Sequence, residues 1–155
     1  MPAPAKVALP PNPLVSEVLE FVSKKRTKAE KIKALRDFES PELKSILIWN
    51  FDETIVNMLP EGEPPYRPNE APKGTEHTNL SHEYKILYNF LKGGNDLLRP
   101  MKREELFLQL LEGLHSEEAQ VVCLAKERKL SKNYKITKEI VSEAYPDIVW
   151  GNRGG

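Results

Sequence analysis

The chain has 155 residues, with 23 basic and 23 acidic side chains, 39% hydrophobic residues and one cysteine. That length suits one domain with a modest core, and zero net charge excludes a general electrostatic pull toward nucleic acid or membrane, so only local charge can argue for either. A single cysteine excludes an internal disulfide, and no apolar run approaches the roughly 18 residues of a membrane span; a soluble intracellular or particle-packaged protein with no membrane partner is expected.

Residues 1–13 (MPAPAKVALPPNP) hold five prolines and are expected to form an arm ahead of the fold. From Leu14, the spacing of Leu14, Val15, Val18, Leu19, Phe21 and Val22 predicts a helix. Thr27-Lys28-Ala29-Glu30 is a capping-box sequence that starts a second helix, with Ile32, Leu35 and Phe38 inward. Ser40-Pro41-Glu42 puts serine at the N-cap and proline at the first turn of a third, carrying Leu43, Ile46, Leu47 and Trp49.

FDETIVNML, residues 51–59, fits either an extended segment on the core or a frayed helix end, with extended favoured. Residues 60–79 hold five prolines and two glycines, which predicts a long loop. It can pack across the helices as a belt, with Tyr66 as anchor, or present PPYRP to a partner. Leu80, Tyr84, Leu87, Tyr88 and Leu91 return to helical spacing, ended by Gly93-Gly94 in left-handed backbone.

Pro100 to Val149 organises the chain as three amphipathic helices. Leu106, Leu110, Leu111 and Leu114 form the first apolar face; Ser116 is the expected N-cap of the second, whose face is Val121, Val122, Leu124 and Ala125, with Cys123 buried as a small hydrophobe. A basic loop from Arg128 to Lys135 follows. Thr137 then caps a third helix through Ile140, Val141 and Ala144, stopped by Tyr145-Pro146, and residues 150–155 are expected to fray. The sum is an all-α fold, a single compact domain of about six or seven short helices over residues 14–149 with a long proline-rich loop.

No catalytic constellation emerges. His77, His82 and His115 lack ligand spacing, the glycines form no phosphate loop, and Asp52-Glu53, Glu104-Glu105 and Glu117-Glu118 stand at helix ends, where the macrodipole accounts for them. A non-enzyme with no metal and no cofactor is expected. Charge placement is more informative. From Lys24 to Arg36, seven bases (Lys24, Lys25, Arg26, Lys28, Lys31, Lys33, Arg36) face one acid, and from Lys126 to Lys138 six (Lys126, Arg128, Lys129, Lys132, Lys135, Lys138) face one; residues 52–76 carry six acids and two bases. Bases beside a helix N-terminus and a polar loop can hold phosphates without reading bases, so Lys24, Lys25, Arg26 and Lys28 are candidates.

The runs KAEKIKALRDFESPELKSILIWNFDETI, LPEGEPPYRPNEAPKGTEH and EYKILYNFLKGGNDLLRPMKREELFLQLLEGLHSEEAQVVCLAKERKL resemble a family of uncharacterised proteins encoded by T4-like tailed phages. In order and spacing, KAEKIKALRDF, REELFLQLLEGL, SEEAQVVCLAKERKL, SKNYK and ITKEIVSEAYPDI also resemble the all-helical N-terminal DNA-binding domain of phage-type ATP-dependent DNA ligases. That second resemblance implies a loop and helix ends gripping duplex phosphates, here Arg128, Lys129, Lys132, Asn133 and Lys135. The proline-rich loop departs from the ligase domain, and no KxDG adenylation motif follows, which excludes ligation. The resulting expectation is a non-enzymatic phage accessory protein that binds duplex DNA backbone in the host cytoplasm. The alternative is a protein-interaction module, as a virion component or an adaptor to phage or host proteins, suggested by the prolines, the neutral charge and Trp150. Whether both basic runs share one face separates the two.

Overall fold

The computed structural model describes residue 9, residues 13–68 and residues 78–151. Among these residues the chain forms α1 (Val15–Ser23), α2 (Lys28–Asp37), α3 (Pro41–Phe51), α4 (Leu80–Glu83) running into a 3₁₀ stretch (Tyr84–Phe90), α5 (Pro100–Gly113), α6 (Ser116–Lys126), α7 (Leu130–Asn133) and α8 (Lys138–Ala144). The architecture is all-α, with one antiparallel bridge, Asn57 to Leu91, in place of a sheet among the described residues.

The helix starts follow the predicted chemistry. Thr27 Oγ1 accepts from Glu30 N at 3.1 Å while Thr27 N donates to Glu30 Oε1 at 3.1 Å, closing the capping box; Ser40 Oγ accepts from Leu43 N, and Thr137 Oγ1 from Ile140 N. α6 departs from expectation: Ser116 is its first helical residue, and His115 is the N-cap, its Nδ1 accepting from Glu117 N at 3.1 Å. Another departure lies after α6, where the expected basic loop contains the short helix α7.

α6 lies at the centre, packed on α1, α3, α5 and α7. Ala119, Val121, Val122, Cys123 and Ala125 are all buried, so the helix is apolar on most sides and its single stripe is blurred. Leu124, expected on the apolar face, is only partly buried. Trp49 of α3 stacks on Phe90 at 6.4 Å between centroids, and Phe90 meets Phe107 of α5 edge-on at 5.1 Å, which carries the core from one helix layer to the next. The 3₁₀ stretch ends differently from expectation: Gly93 has φ +89°, but Gly94 is needed for room, since a Cβ there would sit 2.0 Å from the Tyr88 carbonyl oxygen.

Three charged side chains hold irregular chain in place. Glu118, 1% exposed, accepts from Val15 N at 2.9 Å and Leu80 N at 3.0 Å, so one carboxylate engages the first turns of both α1 and α4. Arg103 is buried and donates to the carbonyls of Asn89, Asn95 and Leu98, fixing the turn before α5. Buried Lys126 donates to the carbonyls of Pro60 and Gly62, each at 2.9 Å, and pairs with Glu127, pinning the start of the proline-rich stretch. Tyr66 packs partly buried against the core and Arg67 N donates to Glu112 Oε2, so residues 60–68 lie across α5 and α6 as a belt. Trp150, expected in the frayed tail, is partly buried beneath Lys138 Nζ, 5.1 Å from its ring, and Gly151 N donates to Asp52 Oδ2 at 3.0 Å. The remainder of the arm, the loop and the tail lies outside the described residues, as does His77.

Candidate nucleic-acid interface

The two basic runs meet. α1 ends at Ser23, whose Oγ accepts from Lys135 N at 2.9 Å, and Lys31 Nζ on α2 donates to Lys135 O at 2.5 Å, so the backbone of Lys135 is held from both sides of the α1–α2 corner. α2 is then joined along its length to α8: Lys28 Nζ lies 2.6 Å from Glu139 and 2.5 Å from Glu143, and the Arg36 guanidinium donates to the carbonyls of Glu143 and Ala144 at the C-terminal end of α8. Lys28, Lys31 and Arg36 project from successive turns of α2, which is why one helix can make all three contacts.

That packing divides the candidates. Lys28 has its charge engaged by two carboxylates, whose hydrogen bonds push the ammonium pKa up and keep it protonated. Arg128 is engaged more firmly. It occupies the left-handed position after α6, with φ +59°, where glycine is the usual residue, and that turn aims its guanidinium at the carbonyls of Asp52 (2.7 Å) and Ile55 (2.5 Å). Lys126 holds the loop at Pro60 and Gly62. Lys126 and Arg128 therefore serve the fold, while the charge of Lys28 is answered by the two carboxylates of α8.

The others face outward. Among the described residues Lys24 makes only an exposed pair with Glu20 at 3.3 Å, which holds it weakly. Lys25 Nζ rests 4.2 Å over the Phe21 ring, and Arg26 stands exposed at the corner. Lys129, Lys132 and Asn133 are exposed on and before α7, and Lys135 is exposed beside Ser23. At the start of α2 the Thr27–Glu30 box already occupies the Thr27 and Glu30 amides, so the face offers an anion side-chain charge more than backbone donors. Of the aromatic rings near it, Phe21 is partly buried beneath Lys25 and edge-on to Phe38, Trp150 is partly buried beneath Lys138, and Tyr134 and Tyr145 are buried.

Sequence reasoning missed Ser23 and Lys31 as the residues that join the runs, and Glu139 and Glu143 as the counter-charges to Lys28. The acids on α8 were visible at helical spacing, but their partner lies 111 residues away in sequence for Glu139. Among the described residues no group of three or more His, Cys, Asp or Glu side chains could hold a metal ion, and no helix is long and apolar enough to cross a membrane. Cys123 is buried 6% exposed beside Tyr66, and burial, with Glu63 nearby, pushes its thiol pKa up to about 12.

No curated protein and no solved structure matches the chain. A family model does match residues 18–132, which spans most of α1 through α7 and so includes the α1–α2 corner and Lys132. On that match the chain belongs to the family of unknown function DUF6433.

Proposed function

We propose that this protein is a non-enzymatic phage accessory protein that grips duplex DNA by its phosphate backbone, with Lys24, Lys25, Arg26, Lys129, Lys132, Asn133 and Lys135 as the contact set. The observation that carries the reading is the Ser23–Lys135 hydrogen bond, because it brings two runs of bases from opposite ends of the sequence to one corner of the fold. The phage assignment draws further on the resemblance to uncharacterised proteins of T4-like tailed phages, and the duplex grip on the resemblance of the helix order to the ligase DNA-binding domain.

Duplex is favoured over single strands because single-strand binders stack bases on exposed aromatic rings, and the rings at this corner are partly buried (Phe21, Phe38, Trp150) or buried (Tyr134, Tyr145). Five of the seven residues in the contact set are lysines, which meet phosphates as point charges, so binding should depend little on sequence and be weak, with Kd on the order of 10⁻⁴ to 10⁻⁶ M at physiological salt. A non-enzymatic role accords with where the acids sit: Glu30 closes a capping box, Glu118 holds two helix starts and Glu127 accepts from Gly62 N. The protein would act in the host cytoplasm.

The test is fluorescence anisotropy with a labelled duplex and a labelled single strand at low salt. Binding to unrelated duplex sequences with equal affinity, tighter than to single strand, is the expected result; no binding to duplex at about 50 mM salt, where screening is weaker than at physiological salt, overturns the reading. The interaction-module alternative draws on one observation of its own, the exposed apolar side chains Leu97 and Met101, at 96% and 85% exposure.

A further inference from the structure

Between the proline-rich stretch and α5 lies a cavity of about 350 Å³, floored by Leu59, Phe107 and Leu108 and walled by Pro64 and Pro65. Its wall is held before any partner arrives. Lys126 Nζ grips the Pro60 and Gly62 carbonyls, Gly62 N donates to Glu127 Oε2 at 3.0 Å, and Leu59 N donates to Asn57 Oδ1 at 3.2 Å. A loop fixed in this way loses little conformational freedom on binding.

The rim is acidic. Glu61, Glu63 and Glu104 line the opening and are exposed, while the one cation in the lining, Lys126, is paired with Glu127 and closed from solvent. The apolar surface also continues beyond the cavity: Met101, Glu104 and Leu108 stand at helical spacing on one face of α5, and Met101 is 85% exposed. Methionine adapts its shape to incoming apolar groups, which suits a docking surface better than a fixed core. An apolar slot continued by an exposed methionine and ringed by three carboxylates is complementary to apolar anchors flanked by lysine or arginine.

We propose that this groove, between Pro60–Pro65 and the Met101–Leu108 face of α5, docks a basic amphipathic segment of a partner protein. The site shares no residue with the DNA-gripping corner, and its occupant is recognised by an apolar side chain in the cavity and bases against Glu61, Glu63 and Glu104.

The experiment uses the full chain, isotopically labelled, and records backbone amide shifts on titration with three synthetic peptides: a leucine–lysine amphipathic helix, its leucine–glutamate counterpart, and a serine–lysine peptide of equal charge. The leucine–lysine peptide alone should saturably shift amides of residues 59–65 and 101–108. E61Q/E63Q/E104Q, exposed changes that leave the core alone, should weaken it by about tenfold, and M101S should also weaken it, with duplex binding not weakened in either variant. Equal response to the glutamate or serine peptide, shifts centred elsewhere, or no shifts overturn the proposal. Concentration-dependent shifts of the same amides without peptide would assign the groove to a second copy of the chain and overturn the choice of partner. Loss of duplex binding in the wild type would bear only on the DNA reading, since the groove is read out separately.

Discussion

Lys135 donates its backbone N–H to the Ser23 hydroxyl across 112 residues of sequence, and that one bond sets the loop before α8 against the end of α1. It is assisted by Lys31, whose ammonium takes the carbonyl of the same residue. Replacing Ser23 by alanine removes one exposed hydrogen bond and should cost about 0.5–1.5 kcal/mol in urea unfolding. The same change should weaken duplex binding a few-fold, because the loop bases lose their registration with Lys24–Arg26. Unchanged affinity with lowered stability would show that the bond serves the fold alone.

Glu118 makes a sharper case. Its carboxylate serves Val15 N and Leu80 N from a fully buried position, so Glu118→Gln presents an amide N–H₂ toward at least one donor. A loss of about 2–4 kcal/mol is expected, with α1 and α4 amides exchanging faster than those of α8 in hydrogen exchange. A loss under about 0.5 kcal/mol, the range of ordinary surface changes, would contradict the clamp.

The core tests separate two leucines that the sequence pattern treats alike. Leu110 is buried, and Leu110→Ala should cost about 2–5 kcal/mol through lost burial and a residual cavity. Leu124 is only partly buried, and Leu124→Ala should cost less than half as much. Equal losses would mean that Leu124 is in the core after all.

Most of the architecture was legible because it rests on local chemistry. Thr27 with Glu30, Ser40 with Pro41, and Thr137 each place a helix start from one or two residues close in sequence, and the observed caps follow them. What failed to show was set by tertiary contact. Nothing local marks Arg103 or Lys126 for burial, because the carbonyls that satisfy them come from turns that only the folded chain brings near. Leu124 and Cys123 are neighbours on a helix buried on most sides, where periodicity cannot rank them. The candidate site was half legible: the basic runs are plain in composition, but which bases stay free depends on Glu139, Glu143 and the Asp52 and Ile55 carbonyls.

Stability should fall at alkaline pH. Cys123 is pushed from 9.0 up to about 12 by burial, and Tyr145, whose hydroxyl donates to the Leu35 carbonyl from a buried position, is raised from 10.0 for the same reason. In both cases the folded state holds its proton more tightly than the unfolded chain. Their contribution is therefore complete below pH 9 and is lost as pH rises through the folded values, at up to about 1.4 kcal/mol per pH unit for each group. Urea midpoints measured from pH 7 to 11 should be flat and then drop from about pH 9, and in Cys123→Ala the drop should begin about one unit later, when the tyrosine starts to count. A wild-type midpoint that rises with pH would contradict the burial of both groups.

The salt dependence of duplex binding bears most directly on the DNA reading. Log affinity should fall linearly with log salt, and K24A/K25A/R26A and K129A/K132A/K135A should each flatten the slope by roughly 0.9 per contact removed while leaving the helical circular-dichroism signal in place. K28A, whose partner charges are Glu139 and Glu143, should leave the slope unchanged. Flattening by both triple variants and not by K28A is the predicted result; a wild-type slope near zero, or equal slopes in all four proteins, would contradict it.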